Sequence, residues 1–186
     1  MIKPHSSPLT RPVLSNVKLV RERARQNIED GAVTPSYGIE AKAVCEALNA
    51  ALATELVCVL RYKRHYFTAE GIASESVKAE FLAHANEEQG HADRIAARIC
   101  QLGGAPNLDP EGLAARSHTE YVAGTTLREM IKEDLVAERV GIESYREVIQ
   151  WIGDRDSTTR TMLEEILAVE EEHAEDMSSL LKGLRD

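Results

Sequence analysis

Apolar residues recur at helical spacing through four long stretches of the chain, and each stretch carries one glutamate where the apolar row should continue. In the first, Val44, Leu48, Leu52, Val59 and Tyr62 form the row and Glu55 interrupts it. In the second, Val77, Phe81, Ala92, Ile95 and Ile99 are interrupted by Glu88. Leu127, Ile131, Leu135, Ile142 and Ile149 surround Glu138 in the third, and Leu163, Ile166, Leu167, Met177 and Leu181 surround Glu170 in the fourth. The offsets put each glutamate on the face that helix packing buries.

Stop signals between these stretches define the elements. Pro4, Pro8 and Pro12 make residues 1–14 an irregular arm, after which Ser15 is placed to cap a short helix running to about residue 30 and ended by Gly31. Thr34-Pro-Ser-Tyr-Gly38 reads as a loop. The first long helix covers about residues 39–70 and stops at Gly71; the second runs from about residue 74 to Gly103-Gly104. The connection over residues 103–124 is long and rich in Gly and Pro. Within it, Asp109-Pro110-Glu111 reads as the N-cap and first turn of a short helix. The third long helix covers about residues 126–152, and the fourth about 157–184. Two short connections flanking one long one give an all-α four-helix bundle with a single long crossover. The organisation expected is an N-terminal arm with a short helix over residues 1–38 and the bundle over residues 39–186.

Composition agrees with helices packed on helices. Of 186 residues, 43% are hydrophobic but only 4% aromatic, and sheets favour aromatic and β-branched residues. The net charge of −9 opposes a grip on nucleic acid over the whole surface and favours cations. Cys45, Cys58 and Cys100 are odd in number and form no C-x-x-C pair, which suits a reducing compartment better than a disulfide framework or zinc ribbon. The N-terminus has no apolar core of a leader, and no later stretch reads as long and apolar enough to span a bilayer, so a cytoplasmic protein without a membrane partner is expected.

A carboxylate in a core costs several kcal/mol unless it is paired or bound to metal. Four at one level would repel one another, and no matching set of lysines or arginines lies on the same rows. Glu88-Gln-Gly-His91 and Glu170-Glu-Glu-His173 each place an imidazole one turn after the carboxylate. The interval from Glu55 to Glu88 nearly equals that from Glu138 to Glu170, so each half supplies a Glu and then a Glu-x-x-His. One such motif in a glutamate-rich chain is unremarkable; two at matched depth are not. Mixed carboxylate and imidazole donors suit iron or manganese, with zinc less favoured and calcium disfavoured.

Further residues share these faces. Tyr62 and Tyr145 each lie two turns after a row glutamate, placed either for core packing or to hydrogen-bond a carboxylate or donate an electron. Asp134, one turn before Glu138, faces inward and is positioned to orient a ligand histidine. His84 reads as a core or supporting histidine rather than a ligand, and Cys58 as an ordinary buried cysteine.

The segments Ala53-Thr-Glu-Leu-Val-Cys-Val-Leu-Arg-Tyr62, Glu88-Gln-Gly-His-Ala-Asp93, Glu133-Asp-Leu-Val-Ala-Glu138 and Glu170-Glu-Glu-His173 resemble the bacterioferritin ferroxidase motifs, over about residues 40–184. The resemblance implies a ferritin-like bundle and a ferroxidase that turns Fe(II) into Fe(III) with dioxygen or hydrogen peroxide at a dinuclear site within one subunit. The same resemblance implies a role in iron storage and oxidative-stress protection. By that resemblance Glu55 and Glu138 are terminal ligands, Glu88 and Glu170 bridge, and His91 and His173 bind one metal each. Bacterioferritins bind haem through a methionine after the first Glu of Glu-x-x-His; Gln89 stands there, so haem is not expected. The chain ends soon after His173, without the further short helix of the larger cages. A closed homo-oligomer of twelve subunits, as in Dps-like cages, is therefore favoured over twenty-four.

Two other classes remain open. One is peroxide removal of the rubrerythrin or manganese-catalase kind, the rubrerythrin form weakened by the missing C-x-x-C. The other is a Dps-like DNA-protecting protein, since residues 1–30 carry Lys3, Arg11, Lys18, Arg21, Arg23 and Arg25 against Glu22, Glu29 and Asp30. A surface helix docked through Val17, Leu19, Val20 and Ile28 on the bundle or a neighbouring subunit is preferred to DNA binding.

Overall fold

Helices account for all regular structure among the described residues of the computed structural model, which are 16–71 and 74–184. In chain order they are α1 Val17–Arg23, a 3-10 turn Ile28–Asp30, α2 Ala41–Thr68, α3 Ser74–Gln101, α4 Leu113–Arg116, α5 Leu127–Ile152 and α6 Ser157–Gly183. The four long helices form an antiparallel bundle. α2 packs on α3 and α5, α6 packs on α5 and α3, and α4 lies against α2 in the crossover. The irregular arm expected over residues 1–14, and Ser15, lie outside the described residues.

Local chemistry sets the ends of the long helices. Thr126 and Glu129 form a reciprocal capping box at the start of α5. Asp156 caps α6 by accepting from Thr159 N at 2.9 Å. Its carboxylate also takes Arg98 Nη2 at 3.0 and 3.1 Å and the Tyr37 hydroxyl at 2.5 Å. Arg98 Nε completes the knot on Thr159 Oγ1 at 2.8 Å. One buried carboxylate thus ties the end of α3, the start of α6 and the segment before α2.

The structure corrects four expectations. The N-terminal helix does not run to residue 30: α1 stops at Arg23, is capped by Asn16, and Asn27 adopts a left-handed conformation (φ 50°) before the 3-10 turn. Val17, Leu19, Val20 and Ile28 are exposed, so no packed apolar face sustains a longer helix, and short helices are marginal without one. The same exposure removes docking on the chain's own bundle. In the crossover, Asp109 closes only a turn, accepting from Glu111 N at 2.9 Å. Gly112, left-handed at φ 69°, delays α4 to Leu113. Finally, α2 is long and apolar enough, by length and composition, to cross a membrane, the only such helix among the described residues. Its apolarity has a packing cause, since it is the helix most enclosed by the bundle, with Val44, Leu48 and Leu52 fully buried.

The core falls into two apolar blocks. One gathers Leu48, Leu52, Ile95, Ile99, Leu163 and Ile166. The other gathers Tyr62, Phe81, Ala85, Ile131 and Met177. Each fully buried Leu, Ile or Phe contributes roughly 1.5–3 kcal/mol. Between the blocks lies a layer of acids.

Candidate metal centre

Glu55 from α2, Glu88 and His91 from α3, Glu138 from α5, and Glu170 and His173 from α6 meet in that layer, all of them at most 5% exposed. They fall into two overlapping sets, Glu55, Glu88, His91 and Glu170, and Glu88, Glu138, Glu170 and His173. Within each set the ligand atoms lie within 4.8 Å of one another, close enough to share an ion. Glu88 and Glu170 belong to both sets. The structure therefore brings together all six residues singled out from the spacing.

Protein hydrogen bonds leave this layer incomplete. Glu55 Oε2, Glu88 Oε2, His91 Nδ1, Glu138 Oε2 and Glu170 Oε1 are buried with no hydrogen-bond partner. His91 Nδ1 lies 2.9 Å from Glu170 Oε1, 3.4 Å from Glu55 Oε2 and 3.6 Å from Glu88 Oε2, a cluster of contacts without hydrogen-bond alignment. Leaving one buried polar atom unpaired costs about 1–3 kcal/mol, more if charged, so five in one layer make groups that could hold cations. The donor set, four carboxylates and two imidazoles, fits a pair of iron or manganese ions.

The groups outside this layer fix its orientation. The Tyr62 hydroxyl donates to Glu138 Oε1 at 2.5 Å, and the Tyr145 hydroxyl donates to Glu55 Oε1. Burial, and then Glu138 for Tyr62 and Glu55 for Tyr145, push both phenols well above their ordinary range, so both stay protonated donors. His173 Nε2 meets Glu87 Oε2 at 2.7 Å, which turns Nδ1 toward Glu88 Oε1 at 3.2 Å. His84 stacks on the His173 ring with centroids 4.0 Å apart.

Asp134 does not do what its position suggests. It accepts from Arg61 Nε at 2.9 Å and faces His65 Nδ1 at 2.8 Å, and it makes no hydrogen bond to His91 or His173. Arg61 continues to Glu120 O at 3.1 Å and His65 to Ala123 O at 2.8 Å, so this buried group pins the crossover to α2 and α5. The inward face was legible; the neighbour across it was not. Glu87, Arg61 and His65 carry no signal in the sequence because their partners sit on other elements, where no fixed spacing points to them. Cys45 and Cys58 are buried, Cys100 is exposed, and all three are free. Gln89 Nε2 is engaged with Asp93 Oδ1 at 2.9 Å.

The acids and imidazoles of the layer shift one another's protonation. Burial and then the Glu55 charge push Glu88 well above the usual carboxylate range, and burial with the Glu88 charge does the same to Glu170. Burial opposes a charge on His91, but Glu170, Glu55 and Glu88 outweigh it and push it up to about 12. His173 rises to about 9, burial again being outweighed, chiefly by Glu138. Glu138 goes the other way: the neighbouring His173 and Glu170, with the hydrogen bond from Tyr62, overcome burial and hold it down.

An antiparallel bundle with an acid and histidine layer at mid-height defines a class, the carboxylate-centred four-helix proteins. The model of the ferritin-like domain matches residues 45–186, and the chain belongs to the ferritin-like family. Among curated relatives, a nutrient stress-induced DNA-binding protein of Synechococcus sp. is 33% identical over 136 residues, covering 70% of this chain and 76% of that protein. A bacterioferritin of Rhodobacter capsulatus is 33% identical over 138 residues, 71% of this chain and 78% of the relative. Among solved structures, a dodecameric thioferritin, the bacterioferritin-related protein of Bacteroides fragilis, superposes with TM-score 0.75 and 32% identity over 78% of this chain and 88% of that one.

Proposed function

We propose that the chain oxidises Fe(II) to Fe(III) at a dinuclear centre within each subunit, in the service of iron storage and oxidative-stress protection. The observation that carries this reading is the set of five buried, unpartnered donor atoms converging from four helices. The relatedness to a bacterioferritin supports it. Glu55 with His91 would hold one ion and Glu138 with His173 the other, with Glu88 and Glu170 available to both.

Iron enters as Fe(II) substrate, and a pair of ions releases two electrons, enough to take dioxygen to peroxide or peroxide to water. The protein's own role is geometric and electrostatic. Tyr62 and Tyr145 each occupy one oxygen of a terminal carboxylate and leave the other free to bind. Glu87 holds His173 in the tautomer that presents Nδ1. The apolar blocks above and below keep bulk water from the layer. Manganese suits the same donors, and peroxide removal at this centre is the alternative that they leave open. The dodecameric relative supports assembly into a closed shell of twelve copies.

Anaerobic Fe(II) titration, followed by separate additions of dioxygen and hydrogen peroxide, tests the reading. Saturation at two ions per chain with oxidation on adding an oxidant is expected. Saturation at one ion, indifferent to Glu170→Ala, would sink it; steady peroxide consumption without net iron oxidation would favour the alternative.

A further inference from the structure

A cleft of about 380 Å³ opens between α3 and α6 beside the acid layer, lined among others by Glu80, His84, Glu87, His91, His173 and Asp176. Near its outer end, Glu80, His84 and Asp176 each bring a ligand atom within 4.8 Å of the others, and none of these residues belongs to the two four-residue sets of the inner centre. Acidic side chains at a surface are common and indicate nothing alone. His84 is different. It is only 3% exposed, and its ring is held by stacking on His173 and by an edge contact with Tyr62, centroids 5.4 Å apart at 88°.

Proton accounting shows what that ring presents to the cleft. Tyr62 has one hydroxyl proton, and it goes to Glu138 Oε1. Toward His84 Nδ1, 3.2 Å away, the Tyr62 oxygen is therefore an acceptor, and Nδ1 carries the proton of the neutral ring. Nε2 is left with a lone pair and no hydrogen bond to any described residue. The nearest acidic atom, Asp176 Oδ2, stands 3.6 Å off, too far for a hydrogen bond and itself an acceptor. A lone pair facing carboxylates is an arrangement that a cation relieves.

We propose that His84 Nε2, Glu80 and Asp176 form a third cation site at the mouth of the cleft, taking a divalent first-row transition ion. The nitrogen donor disfavours calcium and magnesium, and three protein donors leave positions for water. The donors also continue inward, because His84 and His173 form another grouping with Glu87, and His173 belongs to the inner centre. An ion at the mouth therefore stands one step from the buried layer. That it feeds the layer rests on the ferroxidase reading; the site itself does not.

The test uses the full-length protein and Co²⁺, which air does not readily oxidise in such sites. Equilibrium dialysis with metal analysis should show a weaker ion beyond the inner complement, and crystals soaked in Co²⁺ an anomalous peak within bonding distance of His84 Nε2. The double variant Glu80→Gln, Asp176→Asn changes two cleft carboxylates that lie outside the inner sets, so folding is not at risk. It should weaken that ion at least tenfold and leave the inner ions in place. No cobalt beside His84, or identical binding in the double variant, would overturn the proposal. A third ion retained in Glu55→Ala while the inner ions are lost supports a separate site. Should wild type bind only the outer ion, the dinuclear reading fails and this one stands.

Discussion

Tyr62 reaches from α2 to α5 and donates its hydroxyl to Glu138 at 2.5 Å, while Tyr145 reaches back from α5 to Glu55 on α2. Each tyrosine lies two turns after the row glutamate of its own helix and secures the glutamate of the other. The two halves of the bundle therefore hold each other's carboxylates, and the choice between core packing and hydrogen bonding, open from spacing alone, falls to the hydrogen bond. Tyr62→Phe and Tyr145→Phe keep the ring volume but free one carboxylate each. Metal affinity should fall on the order of 10- to 100-fold, as for other groups that orient ligands. Unchanged Fe(II) affinity and oxidation rate in both variants would reduce the tyrosines to packing.

Metal loading should release protons. Burial and neighbouring carboxylates push Glu88 and Glu170 up, and Glu170, Glu55 and Glu88 push His91 up to about 12, so protons compete with metal for donors that bind it only when deprotonated. Apparent affinity must then rise with pH, because hydroxide removes the competing protons. A lightly buffered, anaerobic titration with a pH indicator measures the release directly. Affinity independent of pH between 6 and 8, with no proton release, would contradict the arrangement.

Relief of carboxylate repulsion should also appear as stability. Saturating Fe(II) or Mn(II) is expected to raise the Tm, by mass action on the folded state alone. Glu170→Gln removes one buried, ionisable carboxyl group and should leave the metal-free protein as stable or more so, while it abolishes the metal-induced rise. Differential scanning calorimetry with and without chelator separates the two effects. A metal-free variant much less stable than wild type would show that Glu170 is structural.

Asp156 offers a check far from the centre. Burial alone would raise its pKa, but hydrogen bonds from Thr159, Tyr37 and Arg98 outweigh that and hold the carboxyl below its ordinary value. Such a group stabilises the fold above the unfolded pKa of about 3.9, and the contribution is lost as pH falls through the folded value. Asp156→Asn leaves Arg98 without its counter-charge and should cost about 3 kcal/mol at neutral pH. The variant's stability should also fall less steeply below pH 4 than that of wild type. Parallel acid curves for the two proteins would remove Asp156 from the account of acid unfolding.

What could be read from the chain and what could not follows from the range of each interaction. Glu55, Glu88, Glu138 and Glu170 were legible because a helix repeats its face at fixed spacing, so an acid in an apolar row shows itself. His91 and His173 follow by the same rule, one turn on. Asp134 shows the limit: spacing gives the face it points to, but its attachment to Arg61 and His65 depends on how α2 and α5 are rotated against each other. Glu87 and Asp176 look like solvated acids until α6 and α3 are side by side. The overlong N-terminal helix had a different cause. Val17, Leu19 and Val20 satisfy a helical pattern, yet the described residues leave them exposed.

That exposed face leads to the last prediction. α1 presents Val17 and Val20, each 49% exposed, and Ile28 at 72% follows in the 3-10 turn. On the same segment Arg21, Arg23 and Arg25 carry positive charge, with Lys18 in loose contact with Glu22 at 3.9 Å. Apolar residues uncovered in a single chain are accounted for if a neighbouring subunit covers them in the assembled shell. Nucleic acid would use the arginines and leave the valines in water, and the net charge of −9 over the whole chain works against phosphate. The relative from Synechococcus sp. nevertheless makes DNA the alternative to exclude. Removing residues 1–30 should therefore lower the mass of the oligomer, or its resistance to dilution, in multi-angle light scattering. No low-salt gel shift should be seen with either form. A shift with the full-length protein that weakens steeply with salt and vanishes on truncation, with the oligomer intact, would instead make the segment a DNA-binding arm.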